Sequence, residues 1–404
     1  MKRLSELELP QIDLFDPDYA RDPHGTYLAA SEKSWIAQYQ FGYLLLDHES
    51  MQRFLRDDAH CREPNLDLVQ MWNAQGTAFE RFTANQLVAL RGEEHHRIRR
   101  LVAPAFTPMA ADKHRQFMRE VLEDILDGVD GQSCDFAELS AKYPITVMCR
   151  LIGVPMEDVG KFGAWLEPQE AAFGQDAAML PEIENGLIGM YDYVTRLIDS
   201  RRQPGDHPQD LLQDLVELAY EGDRLDDEEL RTLLVLLLGA GYDTTKNQIN
   251  LIMKMLIDHP DERGNLEADP KRVKLVINES LRLRNAIGCL HRLNDVDIEY
   301  RDVLIPANTF MSFPITYYGW DRNHAANPGS FDPERSDAPK VIAFGQGMHI
   351  CLGQFLARAL LEEALPMLVR RIRNPRLNGE VVHRSPMGIW GYKSLPIAFD
   401  AIAG

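Results

Sequence analysis

Residues 344–358 read Phe344-Gly345-Gln346-Gly347-Met348-His349-Ile350-Cys351-Leu352-Gly353-Gln354-Phe355-Leu356-Ala357-Arg358. One cysteine, Cys351, follows two glycines and precedes a segment with helical spacing. Amide groups at a helix start direct their N–H bonds at whatever lies there, and their partial positive charge favours a thiolate over a thiol. Gly345, Gly347 and Gly353 carry no Cβ, so the backbone can lie close against a large flat partner. From cysteine chemistry alone, a buried structural thiol in a glycine-rich turn stands as an equal alternative.

Outward from this loop, the chain is mostly helical. A final helix is expected from 352 to about 373, with strand and turn over 378–401. Upstream, 285–345 changes texture: short strands are expected at 296–300, 303–305 and 309–314, followed by a meander rich in Pro, Asn and Asp. Apolar residues recur at helical spacing in 114–129, 136–152, 184–199, 208–219, 227–257 and 270–284. A hairpin is expected at 35–46 with Phe41-Gly42 at its turn. Residues 59–92 show no clean period, and their aromatic content suggests a binding loop rather than disorder. The fold expected is mainly α with a minor β portion, in one domain over 1–404 with no fused reductase.

Of the 404 residues, 45 % are hydrophobic and 26 % charged, a balance that excludes collagen, disorder and a disulfide miniprotein. The net charge of −19 argues against nucleic acid and anionic membranes as partners. Cysteines 61, 134, 149, 289 and 351 are scattered without a CxxC pair, as expected of a reducing cytoplasm. The longest apolar stretch, 233–241, is about half of a membrane span.

Three further motifs stand in the helical part. Glu279-Ser280-Leu281-Arg282 is an ExxR whose plain reading is an i,i+3 ion pair, worth only a few tenths of a kcal/mol. His95 and Arg99, within RGEEHHRIRRLVAPAFTP (91–108), share one helix face. LLLGAGYDTT (236–245) places Gly239 and Gly241 inside a helix at roughly 1 kcal/mol each relative to Ala, beside a carboxylate that is expensive to bury unpaired. For Thr244 the plain reading is a hydroxyl bonded to the carbonyl four residues back.

The pattern FxxGxHxCxGxxxA over 344–357 resembles the haem-binding loop of the cytochrome P450 family, and the other motifs follow in the family's chain order. The resemblance implies a triangular helical prism with a long central helix and small sheets. It makes Cys351 the axial thiolate of haem b iron, with Phe344, Gly345 and Gly353 against the cofactor. His95, Arg99, Arg292 and His349 would hold its propionates, Glu279 and Arg282 would support the core, and Asp243 and Thr244 would be the acid–alcohol pair that manages protons. The Pro-Pro pair that many bacterial members carry after ExxR is missing at 284–287. The resemblance also implies insertion of one atom of O2 into a hydrophobic small molecule, whether terpenoid, steroid, fatty acid or aromatic. Electrons would come from NAD(P)H through a separate ferredoxin and ferredoxin reductase, to a monomer. Arg97, Arg99, Arg100, Lys113, Arg115 and Arg358 form a basic patch for an acidic ferredoxin. Leu68, Trp72, Phe79, Phe82, Ala240, Ile287, Leu290 and Trp390 are expected to line the substrate pocket, with Phe162, Trp165 and Phe173 as further candidates and Arg62 or Arg81 as carboxylate anchors. Peroxide-driven oxidation and a noncatalytic haem protein are the alternatives.

Overall fold

A computed structural model describes the chain apart from residues 1, 15, 17, 20, 21, 174, 175, 221–224, 324, 338–340 and 404 and the side chains of residues 173 and 220. Helix accounts for 57 % of the chain, so the fold is mainly α with small sheets, as expected. Its contacts gather into two compact units: Met1–Pro64, Lys274–Cys351 and His383–Gly391 form one, and Asn65–Val273, Leu352–Val382 and Tyr392–Gly404 the other.

The first unit is built on a five-stranded sheet in the order Ile36–Tyr39, Gly42–Leu45, Phe310–Pro314, Cys289–Asn294, Cys61–Arg62. The hairpin turns through residues 40–41, one position earlier than expected. Gly42 instead serves the pairing: a Cβ there would lie 2.3 Å from the Phe310 carbonyl oxygen, so glycine lets the two strands close. Strand Cys289–Asn294 was not expected, because CLHRLN half-buries His291 and buries Arg292 among its apolar residues and hides the alternation. It pairs antiparallel with Phe310–Pro314, placing Arg292 opposite Met311. Phe54, Leu44, Met311 and Phe313 are fully buried in the core over this sheet.

The second unit is helical. Its long helix, Asp227–Asp258, spans 32 residues, about 48 Å at the α-helical rise. Asp226 and Glu229 form a capping box at its start. Its principal neighbour is the helix Phe136–Ile152. Gly241 leaves room there for Met148, whose sulfur would lie 2.6 Å from a Cβ at that position. Helices Arg115–Asp127, Leu180–Arg202, Leu211–Tyr220 and Gln354–Arg371 lie where periodicity predicts them. The 59–92 stretch does not: it holds two short helices, Asn65–Met71 and Ala78–Asn85. The start of the second is capped locally, Thr77 Oγ1 accepting from the Glu80 amide (3.2 Å), and also from afar, since Glu184 accepts from the amides of Ala78 (2.9 Å) and Phe79 (2.6 Å). The T-x-x-E pattern at 77–80 marks the helix start, whereas no local pattern could reveal the contact to Glu184. Among the described residues, no helix is long and apolar enough to cross a membrane.

Candidate active site

Residues 344–351, up to and including Cys351, lie in the first unit. The Cys351 amide donates to the Phe344 carbonyl (2.8 Å), and Gly345 and Gly347 take φ of +73° and +75°, which only glycine adopts without strain. From residues far back in the chain, Asp58 accepts from the Met348 amide at 2.7 Å and Arg56 donates to Gln346 Oε1 at 2.5 Å. The loop is thus anchored on one flank. On the other it is open among the described residues: a Cβ on Gly345 would meet only Leu290 Cδ1, at 3.9 Å. Cys351 is partly exposed. Burial pushes the thiols of Cys61, Cys149 and Cys289 up to about 12 and that of Cys134 up to about 11, so none of the four is a ready thiolate.

Beside this loop, two donors meet on one carboxylate. Arg292 Nη1 is 3.0 Å from Glu63 Oε1, and His349 Nε2 is 3.3 Å from Glu63 Oε2. Burial works to raise the Glu63 carboxyl, but the hydrogen bond to His349 and the charge of Arg292 outweigh it and hold it below its ordinary value. Burial and the neighbouring Arg292 lower His291, one residue earlier, to about 3, so it is neutral. Arg292 and His349 therefore form a seat that takes a carboxylate. With an open glycine flank beside Cys351, this donor set fits a haem bearing propionates. Glu63 was missed in the sequence; a glutamate in CREPN carries no local signal for it.

Glu279 and Arg282 form far more than a helix-surface pair. Their side chains are 3 % and 1 % exposed and joined by two bonds of 2.7 Å. Arg282 also donates to the carbonyls of Gly319 (2.6 Å), Pro328 (2.7 Å) and Ser330 (3.0 Å), while Glu279 accepts from Arg335 (3.1 Å) and the Asp332 amide (3.0 Å). The pair ties the helix Val273–Leu283 to the meander that leads into the cysteine loop.

In the second unit, His95 is buried and Arg99 partly so, both on the helix Gly92–Val102. Asp243 is buried, its Oδ1 2.9 Å from Lys246 Nζ, and burial raises its carboxyl to about 6 against the pull of that ammonium. Thr244 donates to the Ala240 carbonyl (3.0 Å), the back-bond of its plain reading. Between residues 230 and 253 of the long helix only Ala240 is exposed, and Thr244, one turn on, is partly so.

The apolar candidates divide. Leu290 and Ile287 are partly exposed in the first unit, as are Leu68, Trp72 and Phe82 in the second. Trp390 is 1 % exposed, packed against His24 (centroids 5.2 Å) with Arg284 over its ring, and belongs to the core. Phe79 is buried and stacks on Trp72 at 5.1 Å. Phe162 is fully buried, with Trp165 set edge-on to it; the Phe173 side chain lies outside the described residues. Both proposed anchors are engaged in surface ion pairs, Arg62 with Asp295 and Arg81 with Glu228, the latter also lying over the Tyr191 ring. The basic patch is likewise reduced: Arg97 is bound by Glu229, and Arg115 by Asp112, Glu362 and Glu363.

The sequence profile of the family described as Cytochrome P450 matches residues 171–273 and 265–375. Luteothin monooxygenase of Streptomyces thioluteus is 33 % identical over 402 residues, 98 % of this chain and 97 % of that protein. Pentalenic acid synthase of Streptomyces avermitilis is 34 % identical over 333 residues, 79 % of this chain and 80 % of its own. Among solved structures, the myxobacterial cytochrome P450 CYP267B1 in complex with myristic acid superposes with a TM-score of 0.87 at 25 % identity, covering 96 % of this chain and 98 % of that one. With a relative this similar along nearly its whole length, the chain belongs to the cytochrome P450 family and is a haem-thiolate monooxygenase acting on small molecules.

Proposed function

We propose that the whole chain works as one haem-binding monooxygenase domain, monomeric and cytoplasmic, that inserts one oxygen atom into a hydrophobic small molecule. The observation that carries this reading is the open-flanked Cys351 loop beside a carboxylate seat of Arg292 and His349. Cys351 would supply the thiolate to the haem iron, Phe344, Gly345 and Gly353 would accommodate the cofactor, and Arg292, His349, His95 and Arg99 would hold its propionates. When bound, thiolate-ligated haem supplies the activation of O2, the sulfur favouring O–O cleavage.

The residues of the long helix manage protons. With its back-bond to Ala240 made, the Thr244 hydroxyl oxygen keeps a lone pair that can accept from a water and so orient it. Asp243, raised to about 6, gains and loses a proton near neutrality, as general acid chemistry requires. Leu290, Ile287, Leu68, Trp72, Phe82 and Ala240 are the partly or fully exposed apolar side chains assigned to the substrate. The relatives' names and the myristic acid bound to the CYP267B1 neighbour support a small, largely apolar molecule. Electrons come from NAD(P)H through a separate ferredoxin and its reductase. With Arg97 and Arg115 neutralised internally, Arg100, Lys113 and Arg358 are the basic groups assigned to docking, Arg100 and Lys113 being exposed.

The test is turnover of apolar candidates that displace water from ferric haem, with ferredoxin, its reductase and NADPH. Product formation under those conditions is expected. Turnover with hydrogen peroxide alone, and none with the reduced ferredoxin, would overturn the reading.

A further inference from the structure

The buried Asp243 carboxyl is tied toward the surface by an ion pair. Lys246, three residues beyond Asp243 on the same helix face, places Nζ 2.9 Å from Asp243 Oδ1 and also 2.9 Å from Glu167 Oε2. The side chains of Asp243 and Lys246 are 5 % and 2 % exposed, whereas that of Glu167 is 50 % exposed. Tyr242 closes the side of this chain, its ring 4.4 Å from the ammonium and its hydroxyl 3.4 Å from the same Glu167 oxygen. One ammonium is therefore shared between a carboxylate deep in the helix packing and a carboxylate at the surface.

We propose that Lys246 and Glu167 are positioning residues that set the direction and ionisation of Asp243, with Glu167 as the solvent-side handle. Drawn toward Asp243, Lys246 holds that carboxylate charged and in place; drawn toward Glu167, it releases Asp243 to take up a proton and turn. The inference rests on the reading of Asp243 as a proton carrier. Lys246 itself carries none: burial works to lower it, but the two carboxylates and Tyr242 outweigh that and hold the ammonium well above the ordinary lysine range. The proton is therefore gained and lost at the Asp243 carboxyl alone, and Lys246 stays charged throughout. The ionisable groups that act on Asp243 are Lys246 and Glu167, and those that act on Lys246 are Asp243, Tyr242 and Glu167. The helix Phe136–Ile152, packed against this stretch, brings the Met148 thioether against Gly241 and adds no charge to either set.

The experiment is an infrared pH titration of the holoenzyme in its ferrous, CO-bound form. The carboxylic-acid band of Asp243 is identified by its loss in Asp243→Asn. Glu167→Gln alters a surface residue, removes a negative charge that raises Asp243 and leaves Lys246 wholly to it. The midpoint is expected to fall by about one pH unit, the lower end of the effect of a charge a few ångströms away. Lys246→Met is expected to move it upward. The pH dependence of turnover in Glu167→Gln shifts down with the midpoint, which a merely structural role would not produce. An unmoved midpoint in Glu167→Gln, with Asp243→Asn slower than the parent, overturns this inference alone. An Asp243→Asn enzyme as fast as the parent overturns the proton-carrier reading and this inference with it.

Discussion

Replacing Arg282 with methionine keeps the bulk of the side chain and removes five donated hydrogen bonds. Two of these go to Glu279, whose carboxylate would stay 3 % exposed with only Arg335 at 3.1 Å and the Asp332 amide at 3.0 Å to compensate it. The carbonyls of Gly319, Pro328 and Ser330 would lose a donor as well. Removing one partner of a buried ion pair costs about 3–5 kcal/mol. Because Arg335 and Asp332 remain, the lower end, about 3 kcal/mol, is the expectation. That is a large part of the roughly 5–15 kcal/mol by which proteins are stable. Urea denaturation followed by far-UV circular dichroism and tryptophan fluorescence measures it. Trp320 is a local reporter, since its indole N–H donates to the Leu283 carbonyl at 2.9 Å, one residue beyond Arg282. Glu279→Gln and the double variant complete a cycle in which the two single losses should not add. A loss below about 1 kcal/mol would place the pair with exposed helix pairs and refute the argument from burial.

Cys351→His should fold yet lose the red-shifted Soret band of the reduced CO complex, while substitution of any other cysteine should keep it; a Cys351→His protein with that band would remove Cys351 as the ligand. Arg292→Ala should lose haem faster to an acceptor protein, since hydrogen bonds to charged groups are worth about 1.5–3 kcal/mol, and unchanged loss would count against its role. Glu63 has a folded-state carboxyl held below its ordinary value of 4.5, so its contribution to stability is present above that pH and is lost as the pH falls through the lower folded value. Glu63→Gln should therefore lower the denaturation midpoint at neutral pH and converge with the parent on acidification, and a difference independent of pH would contradict this. Thr244→Ala should bind substrate and consume NADPH but form less product per NADPH, with hydrogen peroxide making up the difference; coupling equal to the parent's would remove Thr244 from proton management.

Part of the site was legible because its signals are local. Glycines at positive φ, a cysteine two residues beyond a histidine, and an ExxR within one helical turn are short-range constraints on the backbone. The helix boundaries were legible for the same reason, since capping and a 3.6-residue period act over a few residues: Phe136–Ile152 and Asp227–Asp258 lie where the spacing puts them. The period fails where burial is not one-sided. Cys289–Asn294 buries Arg292 and half-buries His291 and reads as no strand, and Ala78–Asn85, besides its local Thr77 cap, is held by Glu184, 105 residues from the Phe79 amide.

By itself, then, the sequence determined the chemistry available along the backbone: a thiol in a glycine turn, a helix with a carboxyl and a hydroxyl side by side, and an arginine ten residues past the ExxR. Only the tertiary structure decided which charges meet. Glu63 reaches Arg292 and His349, Asp58 reaches the Met348 amide across 290 residues, and Glu167 reaches Lys246 across 79. The same packing consumed Arg97 and Arg115 in ion pairs and buried the Trp390 ring. The physical reason is range. A cap or a turn is settled by neighbours a few bonds away, whereas the partner of a charge is whichever group the packed chain brings within about 3 Å of it, a distance that no spacing along the sequence encodes.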